Sequence, residues 1–197
     1  MLAQARAAIV ATLFFTLLLG VGFPLVVTGI GQLAFPAQAG GSLIRNASGQ
    51  VVGSALIAQN FTKPEYLHPR PSAAGAEGYD ASGSSGSNLG PLNEDLAQRV
   101  AESTRAIQGE GAGPVPADAV TTSASGLDPD ISPANARRQA ARVAAARGVS
   151  IEQVQKTISA NTTDPWLGVF GQPRVNVLRT NLALDAVAPR RPVSPAR

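Results

Sequence analysis

The fold of this chain is decided first by residues 7–30, which read AAIVATLFFTLLLGVGFPLVVTGI and carry no charged side chain. A helix of this length extends about 36 Å, enough to cross a hydrocarbon core of about 30 Å with some tilt. Isoleucine, valine, leucine and phenylalanine near the bilayer centre each favour insertion by roughly 0.3 to 0.6 kcal/mol. We therefore expect a transmembrane anchor helix within residues 1–33, preceded by a short cytoplasmic start.

The same stretch contains small and helix-breaking residues that a lone anchor does not need. Pro24 removes one helical hydrogen bond, to the carbonyl group of Gly20. Together with Gly22 and Gly29, these residues indicate a kinked helix that packs closely against a partner helix. Glycine and proline are also common in membrane helices generally, and that simpler explanation stays open.

A cleavable signal peptide is the main alternative to a retained anchor. Arg6 supplies a basic start, and Ala37-Gln38-Ala39 resembles a cleavage site before Gly40. The apolar stretch is longer than the about 7 to 15 residues of a typical signal-peptide core, which favours retention. Arg6 is the only charged side chain before the helix, so the positive-inside rule places the N-terminus in the cytoplasm and the rest of the chain outside. Arg45 lies on the other flank.

Beyond the helix, the composition is that of one nearly neutral domain. The 197 residues carry 16 Lys and Arg against 13 Asp and Glu, a surplus too small for a nucleic-acid binder. The sequence has no cysteine and a single histidine, which excludes disulfides, thiolate nucleophiles and multi-histidine metal sites. We expect a single extracytoplasmic α+β domain over residues 34–188 and a disordered tail over residues 189–197.

Local patterns predict the first elements of this domain. Apolar pairs on either side of residues 46–49 predict a short β-hairpin, and the apolar character continues through residues 55–57. Asn93 has the features of a helix N-cap, with acidic residues in the first turn, and Gly109 is expected to end that helix. Residues 175–178 predict a strand.

Two further helices are predicted in the second half. Ser132 is the expected N-cap of one, with Pro133 at its first position and Gly148 at its end. Its four arginines, Arg137, Arg138, Arg142 and Arg147, are interpreted as a solvated face. The other opens with a capping box at residues 150–153 and is expected to bury Ile151, Val154 and Ile158.

Several catalytic motifs are missing from the sequence. The only lysines, Lys63 and Lys156, lie outside any phosphate-binding loop pattern, and no Asp-Lys-Thr-Gly sequence is present for an aspartyl-phosphate intermediate. No G-x-S-x-G elbow is present either, so a hydrolase would have to combine His68, Asp80 and one of many serines. We therefore expect no ATP hydrolysis and no other catalytic residue in this chain.

Four sequence blocks resemble one known family, in order along nearly the whole chain. They are residues 31–42 around Gly31-Gln32-Leu33-Ala34-Phe35-Pro36; residues 66–91 with Tyr66-Leu67-His68-Pro69-Arg70-Pro71 and Ser87-Asn88-Leu89-Gly90-Pro91; residues 123–136, SASGLDPDISPANA; and residues 171–185, GQPRVNVLRTNLALD. These blocks are similar to the C subunit of the Kdp-type potassium-transporting P-type ATPase.

The resemblance implies a non-catalytic subunit of a complex in a bacterial plasma membrane. Its expected partners are a channel-like potassium-binding subunit, the P-type subunit that hydrolyses ATP, and the membrane lipid, with no nucleic acid involved. Potassium is then the transported ion, and this chain would meet ATP only through the pump subunit. The family is also described as a catalytic chaperone that raises the ATP affinity of the pump subunit. Pumps of this type bind ATP in the cytoplasm, whereas the expected topology puts residues 40–197 outside.

The resemblance also changes the interpretation of residues 72–93. Their glycine and serine content alone is typical of a flexible linker, whereas a stretch shared with a family indicates an ordered loop. We expect the following residues to form or brace the surface facing the channel-like subunit: Tyr66, His68, Arg70, Tyr79, Asp80, Ser87 and Asn88. A purely local role of Arg70 and Asp80 in holding the loop remains the alternative.

Three other classes of protein stay open at this point. An anchored hydrolase would lose its activity on His68→Ala, and a pilin-like subunit would be processed near its N-terminus. Against the pilin class, Leu19 and Phe14 occupy the places of the Glu and Gly that such proteins carry. A membrane-anchored extracytoplasmic binding module, unrelated to transport, would hold a soluble ligand without membrane partners.

Overall fold

A computed structural model describes residues 2–46, 48–111 and 113–187 of the chain. Its internal contacts divide it into two compact units, Met1–Ser54 and Ala55–Arg197. The predicted tail, residues 189–197, lies outside the described residues. Helices and small antiparallel sheets make up the described part, which confirms the α+β class.

The first unit is dominated by one long apolar helix. It consists of α1 (Leu2–Leu17), a π-helical turn (Leu18–Gly22) and α2 (Phe23–Ala34). Among the described residues it is the one helix, Gln4–Ala34, that is long and apolar enough to span a membrane. None of its side chains with an assigned exposure is buried within the chain, as expected for a helix whose surface faces lipid or other proteins.

The π-helical turn explains how Pro24 is accommodated in this helix. Proline lacks an N–H group, and its ring collides with the carbonyl group four residues earlier in a regular helix. Just before Pro24 the backbone widens, and the N–H of Phe23 donates to the carbonyl of Leu18, five residues back. The helix therefore continues past the proline and ends at Ala34.

A short helical turn and a β-hairpin complete this unit. The turn is α3 (Pro36–Ala39), and the hairpin pairs β1 (Leu43–Arg45) with β2 (Val51–Ser54), as predicted. The side-chain oxygen of Asn46 accepts hydrogen bonds from the backbone N–H groups of Ser48 and Gln50 and thereby closes the hairpin loop. The predicted apolar extension through residues 55–57 is not strand, because the pairing ends at Ser54.

The described part of the second unit contains four helices and a three-stranded antiparallel sheet. The helices are α4 (Glu94–Ile107), α5 (Pro133–Arg147), α6 (Ile151–Ala160) and α7 (Val177–Val187), with a 3-10 turn at Ala117–Ala119. The strands β3 (Asp130–Ile131), β4 (Thr162–Thr163) and β5 (Arg174–Asn176) lie in the order β3-β5-β4. Helices α5 and α6 form an antiparallel pair joined through Gly148, whose φ of 66° is left-handed.

The predicted helix starts are confirmed by their caps. The side chain of Asn93 accepts from the N–H groups of Asp95 and Leu96, and Ser132 and Ser150 each accept from the N–H three residues later. These caps satisfy N–H groups that have no partner within the helix. The core is built from these buried apolar residues: Leu67, Ile131, Ala136, Ala140, Val143, Ala144, Val154, Ile158, Val175, Val177 and Leu184.

Two sequence predictions about this unit are wrong in detail. Ile151 is exposed rather than buried, because it lies at the first position of α6, while Val154 and Ile158 face the core as expected. The predicted strand over residues 175–178 stops at Asn176. There the side-chain oxygen of Asn176 accepts from the N–H of Arg179, and the chain turns directly into α7.

Residues 72–86 are an ordered loop, in agreement with the second of the two interpretations. The Ser72 hydroxyl donates to the carbonyl of Gly126 and accepts from the N–H of Tyr79, while the N–H of Ser85 donates to Ser125. Gly126 has a φ of +66°, and a Cβ atom there would lie 2.5 Å from the Ser85 carbonyl oxygen. Only glycine fits this close approach.

Candidate functional site

The segment Tyr66-Leu67-His68 passes between α5 and α7 as an extended chain held by side-chain amides. The N–H of Leu67 donates to Asn181 Oδ1 at 2.8 Å, and Asn181 Nδ2 donates back to the Leu67 carbonyl at 3.0 Å. Gln139 forms the same two-way pair with the backbone of His68, at 2.7 and 3.1 Å. The two amides thus provide the hydrogen bonds that a neighbouring strand would otherwise supply. We call this arrangement the amide clamp.

Two arginines of α5 bind the carbonyl groups just before the amide clamp. Arg142 donates to the carbonyls of Pro64 and Tyr66, and Arg147 donates to that of Glu65. The expected solvated face is therefore wrong for these two residues. Both point to the side of α5 against which residues 64–66 pack, where unpaired carbonyl groups need donors.

Arg147 is a buried charge with several partners. Its side chain has no exposed surface, and Nη2 forms an ion pair with Asp185 Oδ1 at 2.9 Å. The guanidinium carbon lies 5.2 Å from the ring centroid of Tyr66, and the Tyr66 hydroxyl donates to Asp185 Oδ2 at 3.0 Å. Tyr66, one of the predicted interface residues, thus belongs to a triad that joins the segment to α5 and α7.

A groove of about 310 Å³ opens beside the amide clamp. Its lining includes two predicted site residues, His68 and Tyr79. The other lining residues are Asn60, Phe61, Thr62, Pro69, Pro71, Ile107, Glu110, Ala119, Asn135, Arg138 and Gln139. Arg138 and Glu110 form an ion pair across 2.7 Å, and Arg138 has only 9% of its side chain exposed, so the solvated-face prediction is wrong for this residue too. The groove therefore combines apolar side chains with polar ones and carries one paired charge of each sign.

His68 and Tyr79 are both influenced by their burial in this groove. Burial lowers the pKa of the His68 imidazole, and the positive charge of Arg142 lowers it further. His68 Nε2 lies 3.1 Å from the carbonyl oxygen of Lys63. Burial raises the pKa of Tyr79, whose hydroxyl donates to the carbonyl of Arg70 at 2.7 Å. Burial thus favours the uncharged form of both side chains in the groove wall.

Arg70 and Asp80 are held by different kinds of bond. Arg70 forms an ion pair with Asp128 at 3.0 Å and donates to the Thr122 carbonyl, partners 58 and 52 positions away in the sequence. Asp80 is exposed, and hydrogen bonds from the side chain and backbone of Ser82 lower its pKa. Neither residue lines the groove, and of the two only Asp80 is held by local bonds.

Ser87 and Asn88 lie further along the same loop and are not among the residues lining the groove. Ser87 is half-buried, whereas Asn88 is exposed with a left-handed φ of 54°, a conformation that asparagine adopts more readily than most residues. The structure thus places His68 and Tyr79 together in the groove and Tyr66 in the triad with Arg147 and Asp185. Ser87 and Asn88 lie outside the groove.

The amide clamp contains residues that sequence reasoning missed. Gln139 lies between Ala136 and Val143 on the apolar face of α5, and Asn181 lies between Val177 and Leu184 on that of α7. A polar residue in the middle of an apolar helix face is the signal that could have found both, because a buried amide needs partners. Asp185 and Arg147, at helix ends, gave no such signal.

The predicted site residues of the membrane helix surround the π-helical turn. Gly20 and Gly22 lie within it, Pro24 follows it, and Gly29 lies in α2. A Cβ atom added at Gly20 would lie 3.9 Å from Thr16, and one added at Gly29 would find no described atom within 4 Å. This chain itself therefore leaves space at both glycines.

Within residues 2–46, 48–111 and 113–187, no group of three or more His, Asp or Glu side chains is placed to hold a metal ion. The charged residues of the groove are instead paired with each other, as Glu110 is with Arg138.

Comparison with known proteins covers both units. The profile of the family described as "KdpC: K+-transporting ATPase, c chain" matches residues 5–186. A protein of Caulobacter sp. strain K31, named Potassium-transporting ATPase KdpC subunit, is 63% identical over 190 residues, covering 96% of each chain. A protein of the same name from Beijerinckia indica is 57% identical, covering 99% of this chain and 100% of the relative. One from Myxococcus xanthus is also 57% identical, covering 85% and 81%. The chain therefore belongs to the KdpC family.

Proposed function

We propose that this chain is an accessory subunit that assembles and stabilises a high-affinity, ATP-driven potassium import complex. As a member of the KdpC family, it is a subunit of a potassium-transporting ATPase and not the catalytic subunit. The observation that carries the proposal is the family match over residues 5–186, which includes the membrane helix, the loop 72–86 and the amide clamp. The proposed partners are a channel-like potassium-binding subunit and the P-type subunit that hydrolyses ATP.

The membrane helix supplies one proposed contact. Small residues allow the backbones of two membrane helices to approach closely, and this packing drives helix association in lipid. Gly20, Gly22 and Gly29, with Pro24, are proposed to lie against a helix of a partner subunit. The space around Gly20 and Gly29 supports this, because nothing within the chain itself requires glycine there.

The groove beside the amide clamp supplies the second proposed contact. Its mixture of apolar and polar side chains suits a loop of the channel-like subunit, and the Arg138–Glu110 pair can bind both donors and acceptors of that loop. His68 and Tyr79 line the groove, while Arg70 and Asp80 hold the neighbouring loop. Ser87 and Asn88 are proposed to extend the contact beyond the groove.

A role as a catalytic chaperone is proposed to act through the membrane helix. In the proposed topology the N-terminus is cytoplasmic and the second unit is extracytoplasmic, whereas ATP binds the pump subunit in the cytoplasm. An effect on ATP affinity then requires coupling along the helix, and the π-helical turn is the element in which the two halves of the helix can change their relative rotation.

The proposal is tested by a pull-down of the tagged full-length chain in mild detergent, from membranes of potassium-starved cells, with mass spectrometry of the retained proteins. We expect a P-type ATPase and a channel-like membrane protein to be retained. A solitary chain would contradict the proposal and favour a membrane-anchored binding module instead.

A variant of the membrane helix sharpens the same experiment. Gly29→Leu fills the space proposed for a partner helix and is expected to reduce the recovery of both partners. Val27→Leu is the matched control, since two positions along a helix place it about 200° around the axis, on the other side. Equal recovery with both variants would rule out close helix packing at Gly29.

A further inference from the structure

The turn between β4 and β5 exposes four large apolar side chains at once. Trp166, Leu167, Val169 and Phe170 are 69, 71, 74 and 61% exposed, and Trp166 is the only tryptophan of the chain. We call residues 166–170 the apolar tip. Single exposed apolar residues are common on protein surfaces, but a contiguous group of them marks an interaction site.

The apolar tip has a defined conformation. Trp166 and Phe170 exchange two backbone hydrogen bonds, at 2.9 and 3.0 Å, and their rings lie 5.6 Å apart. Leu167 has a left-handed φ of 54°, which is uncommon for an apolar residue other than glycine. The turn therefore holds Leu167 in a backbone conformation that leucine seldom adopts.

Most backbone N–H groups of the apolar tip form hydrogen bonds within the turn. The N–H groups of Gly168 and Val169 donate to Pro165 and Trp166, so that four of the five N–H groups in the tip have partners inside the turn. In lipid, each unpaired backbone group would cost several kcal/mol. Internal pairing of this kind lowers that cost for the N–H groups of the turn.

The composition and position of the apolar tip favour lipid over a protein as its partner. Residues 165–173 carry no charge. Tryptophan is enriched at membrane–water interfaces, where its ring fits the headgroup level. The membrane helix ends at Ala34, and residues 35–54 join it to the second unit, so the apolar tip is covalently tethered to any bilayer that holds the helix.

We propose that the apolar tip inserts into the interfacial layer of the bilayer in which the chain is anchored. The second unit then has two attachments to the membrane, the covalent one through residues 35–54 and the apolar tip. Trp166 and Phe170 lie at headgroup level, and Leu167 and Val169 reach the outermost acyl chains. This inference concerns lipid only and does not depend on the proposed function.

The single tryptophan makes the proposal directly measurable. The full-length chain is placed in phosphatidylcholine nanodiscs, and the fluorescence of Trp166 is compared with that of nanodiscs made from brominated phosphatidylcholine. We expect emission at shorter wavelength than for water-exposed tryptophan, loss of intensity with the brominated lipid, and weak quenching by iodide. Strong iodide quenching without any effect of bromine would overturn the proposal. So would protection that develops only when the other ATPase subunits are added, because a partner subunit would then be the occupant.

A matched pair of variants separates the apolar tip from the rest of the chain. The double variant Leu167→Asn with Val169→Ser removes apolar surface but keeps Trp166, and asparagine tolerates the left-handed conformation at position 167. We expect it to lose the quenching by brominated lipid, with an unchanged circular dichroism spectrum. Leu92→Asn is the control, since Leu92 is a 95% exposed loop leucine outside the tip. Full lipid quenching in the double variant would contradict insertion of the tip.

Discussion

Arg147 places a fully buried charge in the second unit. A guanidinium without exposed surface is stable only when its charge is paired and its N–H groups have acceptors. Here Asp185 pairs the charge, and the Glu65 carbonyl accepts a hydrogen bond. The ring of Tyr66 covers the guanidinium as well. The sequence could not reveal this, because Arg147 and Asp185 lie far apart in the chain.

Removing the carboxylate of Asp185 should therefore be costly. Asp185→Asn leaves the buried charge of Arg147 unmatched, and we expect a loss of unfolding free energy on the order of 3 kcal/mol. Calorimetry of the full-length chain in mild detergent measures it. Asp164→Asn, at an exposed position, is the control and should change little. Equal stability of the two variants would show that the ion pair contributes nothing.

His68 should make the stability of the fold depend on pH. Burial and Arg142 lower its pKa in the folded chain below the ordinary 6.5, so the unfolded chain takes up the proton first as the pH falls. Stability is then complete above pH 6.5 and falls below it, by up to about 1.4 kcal/mol per pH unit for one proton.

The measurement is denaturant unfolding of the full-length chain at neutral pH and at several values below it. His68→Gln, which cannot titrate, should show a weaker dependence over this range. Because His68 is the only histidine, an unchanged dependence in the variant would assign the effect to carboxylates instead.

At the scale of elements, the amide clamp gives Leu67 and His68 backbone hydrogen bonds of the kind that strands form with each other. Residues 66–68 are not part of a strand. Gln139 of α5 forms with His68, and Asn181 of α7 forms with Leu67, the two backbone hydrogen bonds that a neighbouring strand would form. Such pairing fixes the distance between the two helices and the segment, because each amide binds both a donor and an acceptor.

Gln139→Leu tests the contribution of the amide clamp. It leaves the N–H and carbonyl of His68 without their partner, and we expect about 2 kcal/mol of destabilisation. Thermal unfolding followed by circular dichroism measures the change. Gln155→Leu, an equal substitution at an exposed position of α6, should be close to neutral. If both variants unfold alike, the clamp is not a stabilising element.

In the second unit, the helices whose starts carry clear caps could be predicted from the sequence, and α7 could not. The starts of α4, α5 and α6 are predicted by their N-cap residues, because side-chain hydrogen bonds to nearby N–H groups define those starts. The caps are Asn93, Ser132 and Ser150. Helix α7 was missed because Val175-Asn176-Val177-Leu178 has strand propensity, which tertiary packing overrides. Of the site, His68 and Tyr79 were predicted from a family resemblance, whereas the groove itself arises from long-range packing.

At the scale of the whole molecule, the uneven distribution of charge predicts how the chain crosses the membrane. No charged residue lies between Arg6 and Arg45, and Arg6, near the start of α1, is the one charged side chain before the apolar stretch. The positive-inside rule therefore predicts that the start of α1 is cytoplasmic and that the second unit is extracytoplasmic.

The absence of cysteine from the sequence makes this topology simple to test. Gln4→Cys and Ser159→Cys each introduce one exposed thiol, at the start of α1 and near the end of α6. In spheroplasts, a membrane-impermeant maleimide should label Ser159→Cys, and should label Gln4→Cys only after lysis. Labelling in the opposite order would reverse the proposed orientation.

The long range of the contacts around residues 66–67 sets the order in which the chain folds during synthesis. The bonds from Tyr66 to Asp185 and from Leu67 to Asn181 join residues 119 and 114 positions apart. The hairpin of the first unit, in contrast, pairs residues 6 to 11 positions apart and can form as soon as it emerges. The second unit can complete its fold only after almost the entire chain has left the ribosome. A nascent chain that stops before α7 is therefore anchored but open, and its exposed core is a target for chaperones and proteases.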